Sequence, residues 1–417
     1  MLDKKTQTKP TTEAFHSVKS RLSSLTYLPT RYTIFLAGLL ISRLGDTLYA
    51  FAIPWISYEL TRSAVVMSSL YAINVLPIVL FGPVVGVLVD RWERRRLMLV
   101  ADVVRAVLVG LVPVLYLLNL LQLWHLYGIS FALAVLSLLF DVATVTAIPH
   151  MTEQELMKAN AAYQMVNQIA DLAGPVLAGI VIAAVGGFQT LWLDALSFGA
   201  TFLAVWRMPV LGRGVSVSHM GNIFQNMAEG LRWLVRDRLN LSLSLQAMIG
   251  NFGYFVAFSI LMYYLRSTLH LNAKQTGLNF ALLGAGGLLG SIIVVPLEKR
   301  FRRGILIPVL LSIGTIGFTL AILSPFWLVP GIAFGTVATC NVAWNTLVQS
   351  VRQETVPEAM LGRVLSFSRV FTRLAMPLGA MVGGLISNFD PVAVFVVAAV
   401  TKGLEVIIAL SSPIRKL

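Results

Sequence analysis

Long apolar runs, each bounded by charges, Pro or Gly, succeed one another along almost the whole chain. They lie near 33–58, 64–89, 97–120, 123–149, 161–186 and 188–209, and again near 239–265, 276–297, 304–324, 326–351, 364–387 and 391–412. One α-helical bilayer crossing takes about 20 apolar residues, and each run suffices. Lipid offers no partner to backbone N–H and C=O groups, so such segments satisfy those groups internally as helices. The pattern predicts an all-α membrane protein with twelve transmembrane helices.

Composition agrees: 57% hydrophobic residues, 12% charged residues and a mean hydropathy of +0.79 leave too few charges for a water-facing surface. The net charge of +13 would point to nucleic acid in a soluble protein, but its distribution points elsewhere. With twelve crossings, twenty-four of the 32 Lys and Arg residues fall on the side of the amino terminus. Only Arg62, Arg266 and Lys274 fall on the other side, and five lie within the runs. Basic loops stay in the cytoplasm, which places both termini inside and the positive charge against anionic headgroups, with no nucleic-acid partner. The lone cysteine, Cys340, excludes an intrachain disulfide. Residues 1–31 are polar and basic, lack the apolar core of a signal peptide, and read as a cytoplasmic tail.

An internal repeat divides the runs. Residues 152–181 align without a gap on 357–386, pairing Glu153 with Glu358, Leu156 with Leu361, Lys158 with Arg363, Ala170 with Ala375, Gly174 with Gly379 and Gly179 with Gly384. The same offset of 205 residues sets Glu93-Arg94-Arg95 on Glu298-Lys299-Arg300, and Gly45, Asp46 and Tyr49 on Gly250, Asn251 and Tyr254. Two parallel halves of six helices follow, 32–209 and 239–412, an arrangement that encloses a substrate site at the interface. Residues 210–238 form an amphipathic cytoplasmic linker lying along the membrane surface, and 413–417 a short tail.

The segment GVLVDRWERRR at 86–96 resembles the signature of the loop between helices 2 and 3 in the major facilitator superfamily. Gly86, Asp90, Arg91, Arg94 and Arg95 match it, whereas Glu93 stands where the family carries a glycine, so the turn must form differently. Asp90 beside a basic cluster can pair across the cytoplasmic face and cap a neighbouring helix, a contact that forms and breaks as the halves rock. Gly174, Pro175 and Gly179 resemble the family's antiporter motif, with Ala178 replacing one glycine. Small residues allow close helix approach and Pro bends a helix; a plain packing seam would use them too. With SRLGD in the first run and PEAMLGRV before the eleventh, the chain is similar from end to end to the branch of macrolide and siderophore exporters. That resemblance implies export of a drug-like or siderophore-like molecule by alternating access.

Ionisable side chains in hydrocarbon cost at least about 2.5 kcal/mol unless paired or hydrated. Asp46 lies three residues after Arg43 on one helix face, so protonating it would release Arg43, a proton-coupling arrangement; a permanent structural pair is the alternative. Asp171, just before the Gly-Pro step, is the second candidate. Arg369 and Arg373 share a face at i, i+4 and are expected to answer the acids across the halves. Asp102 and Arg105 are placed near the cytoplasmic end of the third run, where snorkelling and pairing are easy, and assigned to the cytoplasmic gate or a structural role. Lys402 and Glu405 are expected to neutralise each other, and Asp141 and Asp194 have no visible partner, Asp141 being favoured as a cavity residue. No phosphate loop, metal-ligand cluster or nucleophile elbow occurs, and the five histidines are scattered, so no enzyme activity or cofactor is expected. The reading is a proton-coupled exporter acting as a monomer on a small amphipathic molecule. An uptake carrier and a non-transporting receptor remain the alternatives.

Overall fold

The computed structural model describes residues 28–152, 155–211, 220–323 and 326–417. The expected tail over 1–27, Glu153 of the repeat and 212–219 of the linker lie outside them. Thirteen helices organise the described residues: α1 (Thr30–Thr61), α2 (Ala64–Arg91), α3 (Arg94–Leu117), α4 (Leu123–Thr152), α5 (Leu156–Val185), α6 (Gly187–Trp206), α7 (Met220–Arg236), α8 (Arg238–Phe258), α9 (Ala273–Arg300), α10 (Arg303–Leu323), α11 (Val329–Thr355), α12 (Glu358–Ser387) and α13 (Ala393–Ser411). After α8 the chain passes Ser259 and Ile260 and resumes as a short helix, Leu261–Tyr263, that widens into a π-turn at Tyr264–Thr268.

Among the described residues eleven helices are long and apolar enough to cross a membrane, counting Arg238–Thr268 as one. α11 is as long as the others, but Thr336, Thr339, Asn341, Asn345 and Thr346 lower its hydropathy. Helices overrun the apolar runs because polar caps, not hydropathy, end them. α1 continues to Thr61 and stops where Arg62 turns left-handed (φ 53°) and returns its N–H to the Tyr58 carbonyl. One residue later the Ser63 side chain accepts the Val66 N–H and starts α2.

Packing repeats along the chain. α1 packs on α5 and α6, α3 on α4 and α6, and α2 on α4; α8 packs on α12 and α13, α10 on α11 and α13, and α9 on α11. Moving each helix of the first set to its counterpart in the second reproduces every pair. The main helix contacts between the sets are α2 with α12 and α5 with α9.

Residues 28 and 417 lie at one end of the bundle, the terminal end; the 61–64 turn lies at the opposite, far end. At the far end one hydrophobic core runs through both sets, joining Phe51, Ile56 and Phe188 to Leu261, Phe334 and Phe395. Towards the terminal end it splits. Tyr32, Val89, Met98 and Phe140 belong to a core of the first set alone, and Val294, Leu310, Trp344 and Val351 to a core of the second alone. The ring contacts between the sets lie on the far side of the split: Phe51 on Phe280 at 4.5 Å, Tyr58 on Tyr263 at 6.0 Å and Tyr71 on Phe255 at 5.3 Å. The Arg266 guanidinium also stacks 3.9 Å above Trp55 there. Among the described residues no hydrogen bond, ion pair or ring contact joins the sets at the terminal end. The bundle is therefore closed at one end and cleft at the other. α7 rides on the second set through Leu234 against Val356 and Val364, with Glu229 paired to Arg363 at 2.5 Å.

Candidate functional site

At the apex of the cleft lies a cavity of about 510 Å³ walled by both sets. Tyr49, Phe51, Tyr71, Phe258 and Phe280 supply aromatic surface, and Arg43, Asp46, Asp141, Asp171 and Asp194 supply charge. A second hollow of about 450 Å³ shares Arg43, Asp46, Asp141, Asp171 and Pro175 with it and extends past Tyr163 and Asn167, towards the terminal end of α5.

The charges form a chain rather than isolated pairs. Arg43 and Asp46 on α1 sit one helical turn apart and meet at 3.3 Å, as their spacing predicts. The other nitrogen of Arg43 donates to Asp141 of α4, a partner 98 residues away that local spacing does not reveal. Arg105 of α3 binds Asp102 at 2.5 Å and reaches the second oxygen of Asp46 at 3.9 Å. Its guanidinium is sandwiched between Phe140 at 4.3 Å and Phe198 at 4.5 Å, which lets a cation sit 1% exposed. Asp102 and Arg105 thus lie inside the network, paired as their spacing allows. Eight to eleven residues into α3, neither end of the helix is within snorkelling reach.

Asp194 of α6 faces α1 through a glycine. A Cβ on Gly45 would stand 2.0 Å from Ser197 Oγ and 2.7 Å from Asp194 Oδ1, so the glycine lets both side chains of α6 approach α1 at this crossing. In the second set Glu405 of α13 lies against Gly250 in the same way. There Lys402 binds Glu405 at 3.0 Å and donates to Asn341 Oδ1 at 2.8 Å, the mutual neutralisation their spacing predicts. Asn251, the counterpart of Asp46, donates to the Thr372 carbonyl at 3.0 Å and carries no charge. The acid network belongs to the first set.

Among the described residues Arg369 and Arg373 make no ion pair with the acids of the first set. α12 packs through Val364, Ser368, Thr372 and Ala375 and turns Leu374, Leu378, Met381 and Leu385 outward. The two arginines are exposed.

At the terminal end the basic motif caps helices. Glu93 takes the place of the expected glycine by becoming the N-cap of α3, accepting the Arg95 and Arg96 N–H groups at 3.0 and 2.9 Å. It also accepts the Leu211 N–H at 3.1 Å. Arg95 donates to the Val205 and Trp206 carbonyls at 3.2 and 2.5 Å and Arg94 to that of Leu211 at 3.1 Å, closing the carboxyl end of α6 where cations are favoured. Arg91 is exposed in the last turn of α2. Asp90 occupies the same turn, and its side chain lies outside the described ones. A Cβ on Gly86 would meet nothing within 4 Å.

Residues 24–417 match the family model described as transmembrane secretion effector, of the major facilitator superfamily. The chain belongs to this family. It is a membrane transporter of small molecules, all-helical and multi-pass. It is 26% identical over 379 residues to the multidrug efflux pump Tap of Mycobacterium tuberculosis, covering 85% of this chain and 86% of that one. With macrolide efflux protein A of Streptococcus pyogenes it shares 26% identity over 375 residues, 86% of this chain and 89% of that one. The fold matches the crystal structure of a bacterial homologue of the iron transporter ferroportin in its inward-facing state. The TM-score is 0.69 at 16% identity, over 91% of this chain and 98% of that one.

In this transporter the Gly-Pro segment of α5 serves two contacts. Gly174 packs inside the first set, where a Cβ would stand 2.6 Å from the Thr47 side chain. Gly179 lies on the seam between the sets, its Cβ position 2.7 Å from Gly277 Cα. Pro175 lies between them and lines the cavity. Sequence reasoning passed over Tyr71 and Phe258, two rings of the cavity roof; aromatics are frequent in apolar runs, and nothing local marks those that face a hollow.

Proposed function

We propose that this transporter is a proton-coupled exporter of amphipathic organic molecules in the cytoplasmic membrane, working as a monomer by alternating access. Its twelve helices form two six-helix halves, 32–209 and 239–412, joined by the linker 210–238, with both termini in the cytoplasm. The observation that carries this reading is the core that is single at the far end and split at the terminal end, with the charge network at the apex of the split. Such a body takes cargo from one side, and rocking of the halves presents it to the other. Gly82 and Gly86 on α2 and Gly362 on α12, with open space around them now, are small enough to meet a closing partner when the terminal end shuts. The efflux relatives support the outward direction.

In this reading Asp46 is the coupling residue. It shares Arg43 with Asp141 and is reached by Arg105, so a proton on Asp46 frees both arginines to shift towards Asp141 and Asp102. Asp171 stands beside the same route. Arg94 and Arg95 anchor the terminal ends of α3 and α6 as one unit, so that the half moves as a body, and Asp90 and Arg91 belong to the terminal-end gate. The test is efflux of a hydrophobic dye or a macrolide from cells carrying the chain. Dissipating the proton gradient abolishes it, and Asp46→Asn has the same effect. Efflux that persists under both treatments removes Asp46-linked proton coupling.

A further inference from the structure

The terminal end of the second set carries three cations without a partner among the described residues. Residues 413–417, expected as a short tail, form a helical turn, Pro413–Lys416, held against α10. Ile414 is fully buried there, and a Cβ on Gly304 would stand 2.6 Å from the Arg415 carbonyl oxygen. This turn and the first residues of α8 enclose a hollow of about 400 Å³ between α8 and α13. Arg238, Arg415 and Lys416 line it together with Leu241, Leu245 and Ser411, and no acid does. All three cations are exposed and make no ion pair among the described residues. Asp237, next to Arg238, is engaged as the N-cap of α8, its Oδ1 accepting the Asn240 N–H at 2.7 Å. Helix capping does not account for the cations. At the matching end of the first set Arg94 and Arg95 donate to carbonyls that follow α6, whereas the side chains of Arg415 and Lys416 make no hydrogen bond among the described residues. Arg238 stands at the amino end of α8, where the helix dipole disfavours a cation. The repeat does not require them either, since the offset of 205 sets Thr33, Val210 and Leu211 in their places.

We propose that this hollow binds an anionic phospholipid of the leaflet at the terminal end, with the phosphate held by Arg238, Arg415 and Lys416 and an acyl chain lying along α8 and α13. The surroundings favour a lipid over a free ion. Ser411 ends a stripe of α13, with Val400, Leu404 and Ile407, that recurs at helical spacing and is exposed and apolar above the serine, as a face towards hydrocarbon is. A cation cluster at the end of an apolar track matches a charged headgroup with its chain attached. Guanidinium and ammonium groups hold phosphate oxygens through charge-assisted hydrogen bonds, and each basic residue beside an anionic leaflet adds to the attraction. A zwitterionic lipid brings its own trimethylammonium group against the same cations and is disfavoured. The site lies outside the transport cavity and depends on neither the direction nor the coupling proposed above.

Phosphatidylglycerol and phosphatidylcholine with the same acyl chains differ only at the headgroup. Their binding to the purified full-length chain in uncharged detergent is followed by native mass spectrometry, which counts the lipids bound. The first phosphatidylglycerol binds at least about tenfold more tightly than the first phosphatidylcholine, and Arg238→Gln and Lys416→Gln each weaken it about fivefold. Arg238→Lys retains the preference. Arg96→Gln, which removes an exposed cation from the terminal end of the first set, leaves it unchanged. Equal binding of the two lipids overturns the proposal, as does a loss with Arg96→Gln as large as that with Arg238→Gln, which would reduce the effect to surface charge. Inorganic phosphate displaces no more phosphatidylglycerol than chloride does at the same ionic strength; displacement beyond that would assign the hollow to a free ion and overturn the lipid.

Discussion

The far-end seam hangs on two glycines, and adding one methyl group there should change which side of the transporter is closed. A Cβ on Gly179 would stand 2.7 Å from Gly277 Cα, 2.9 Å from the Ala273 carbonyl oxygen and 3.2 Å from Gly277 N. Carbon atoms in contact rest at about 3.5–4.0 Å, so α5 and α9 must separate by about 1 Å to admit it. All three obstructing atoms are backbone, and no side chain can swing aside. Overpacking of this kind costs about 1–3 kcal/mol, and only in the state where the seam is shut. At about 1.4 kcal/mol per factor of ten, Gly179→Ala shifts the equilibrium away from the far-closed state by roughly 5- to 150-fold. Spin labels on cysteines at the exposed far-end positions Leu120 and Phe389, with Cys340 replaced by Ala, read the separation of the two sets as a distance distribution. Gly179→Ala should enlarge the long-distance population, whereas Gly128→Ala, where a Cβ meets nothing within 4 Å, should not. A distribution unchanged by Gly179→Ala would mean that the seam yields without cost, and would refute the argument that backbone contact holds this end shut.

Two further perturbations address different terms. Arg266→Ala removes the stack on Trp55 at 3.9 Å, a contact worth about 0.5–2 kcal/mol, and should enlarge the same long-distance population more modestly; Arg266→Lys should retain part of the effect. Lys402→Met leaves Glu405 buried without its cation and should destabilise the fold by about 3–5 kcal/mol, seen as a lower melting temperature in detergent. The double change Lys402→Met with Glu405→Leu should recover most of the loss. A double variant as unstable as the single one would show that Glu405 matters for more than its charge.

The chain itself determined the membrane-spanning helices, the repeat at an offset of 205 and the pairs that lie one helical turn apart: Arg43 with Asp46, Asp102 with Arg105, and Lys402 with Glu405. All of these follow from hydropathy or from the helical period, which are local properties. Tertiary structure alone decided that Arg43 has a second acid in Asp141, that Arg105 lies between two rings and touches Asp46, and that Asp194 lines the cavity with one carboxylate oxygen unbonded. Whether a charge inside a helix bundle is paired depends on which helices cross at its depth and on which faces. Small residues such as Gly45 and Gly179 set those crossings through contacts with helices distant in sequence. Arg369 and Arg373 lie one helical turn apart, yet both are exposed and make no ion pair among the described residues, because which side chains meet across a bundle is a property of packing that no single helix encodes.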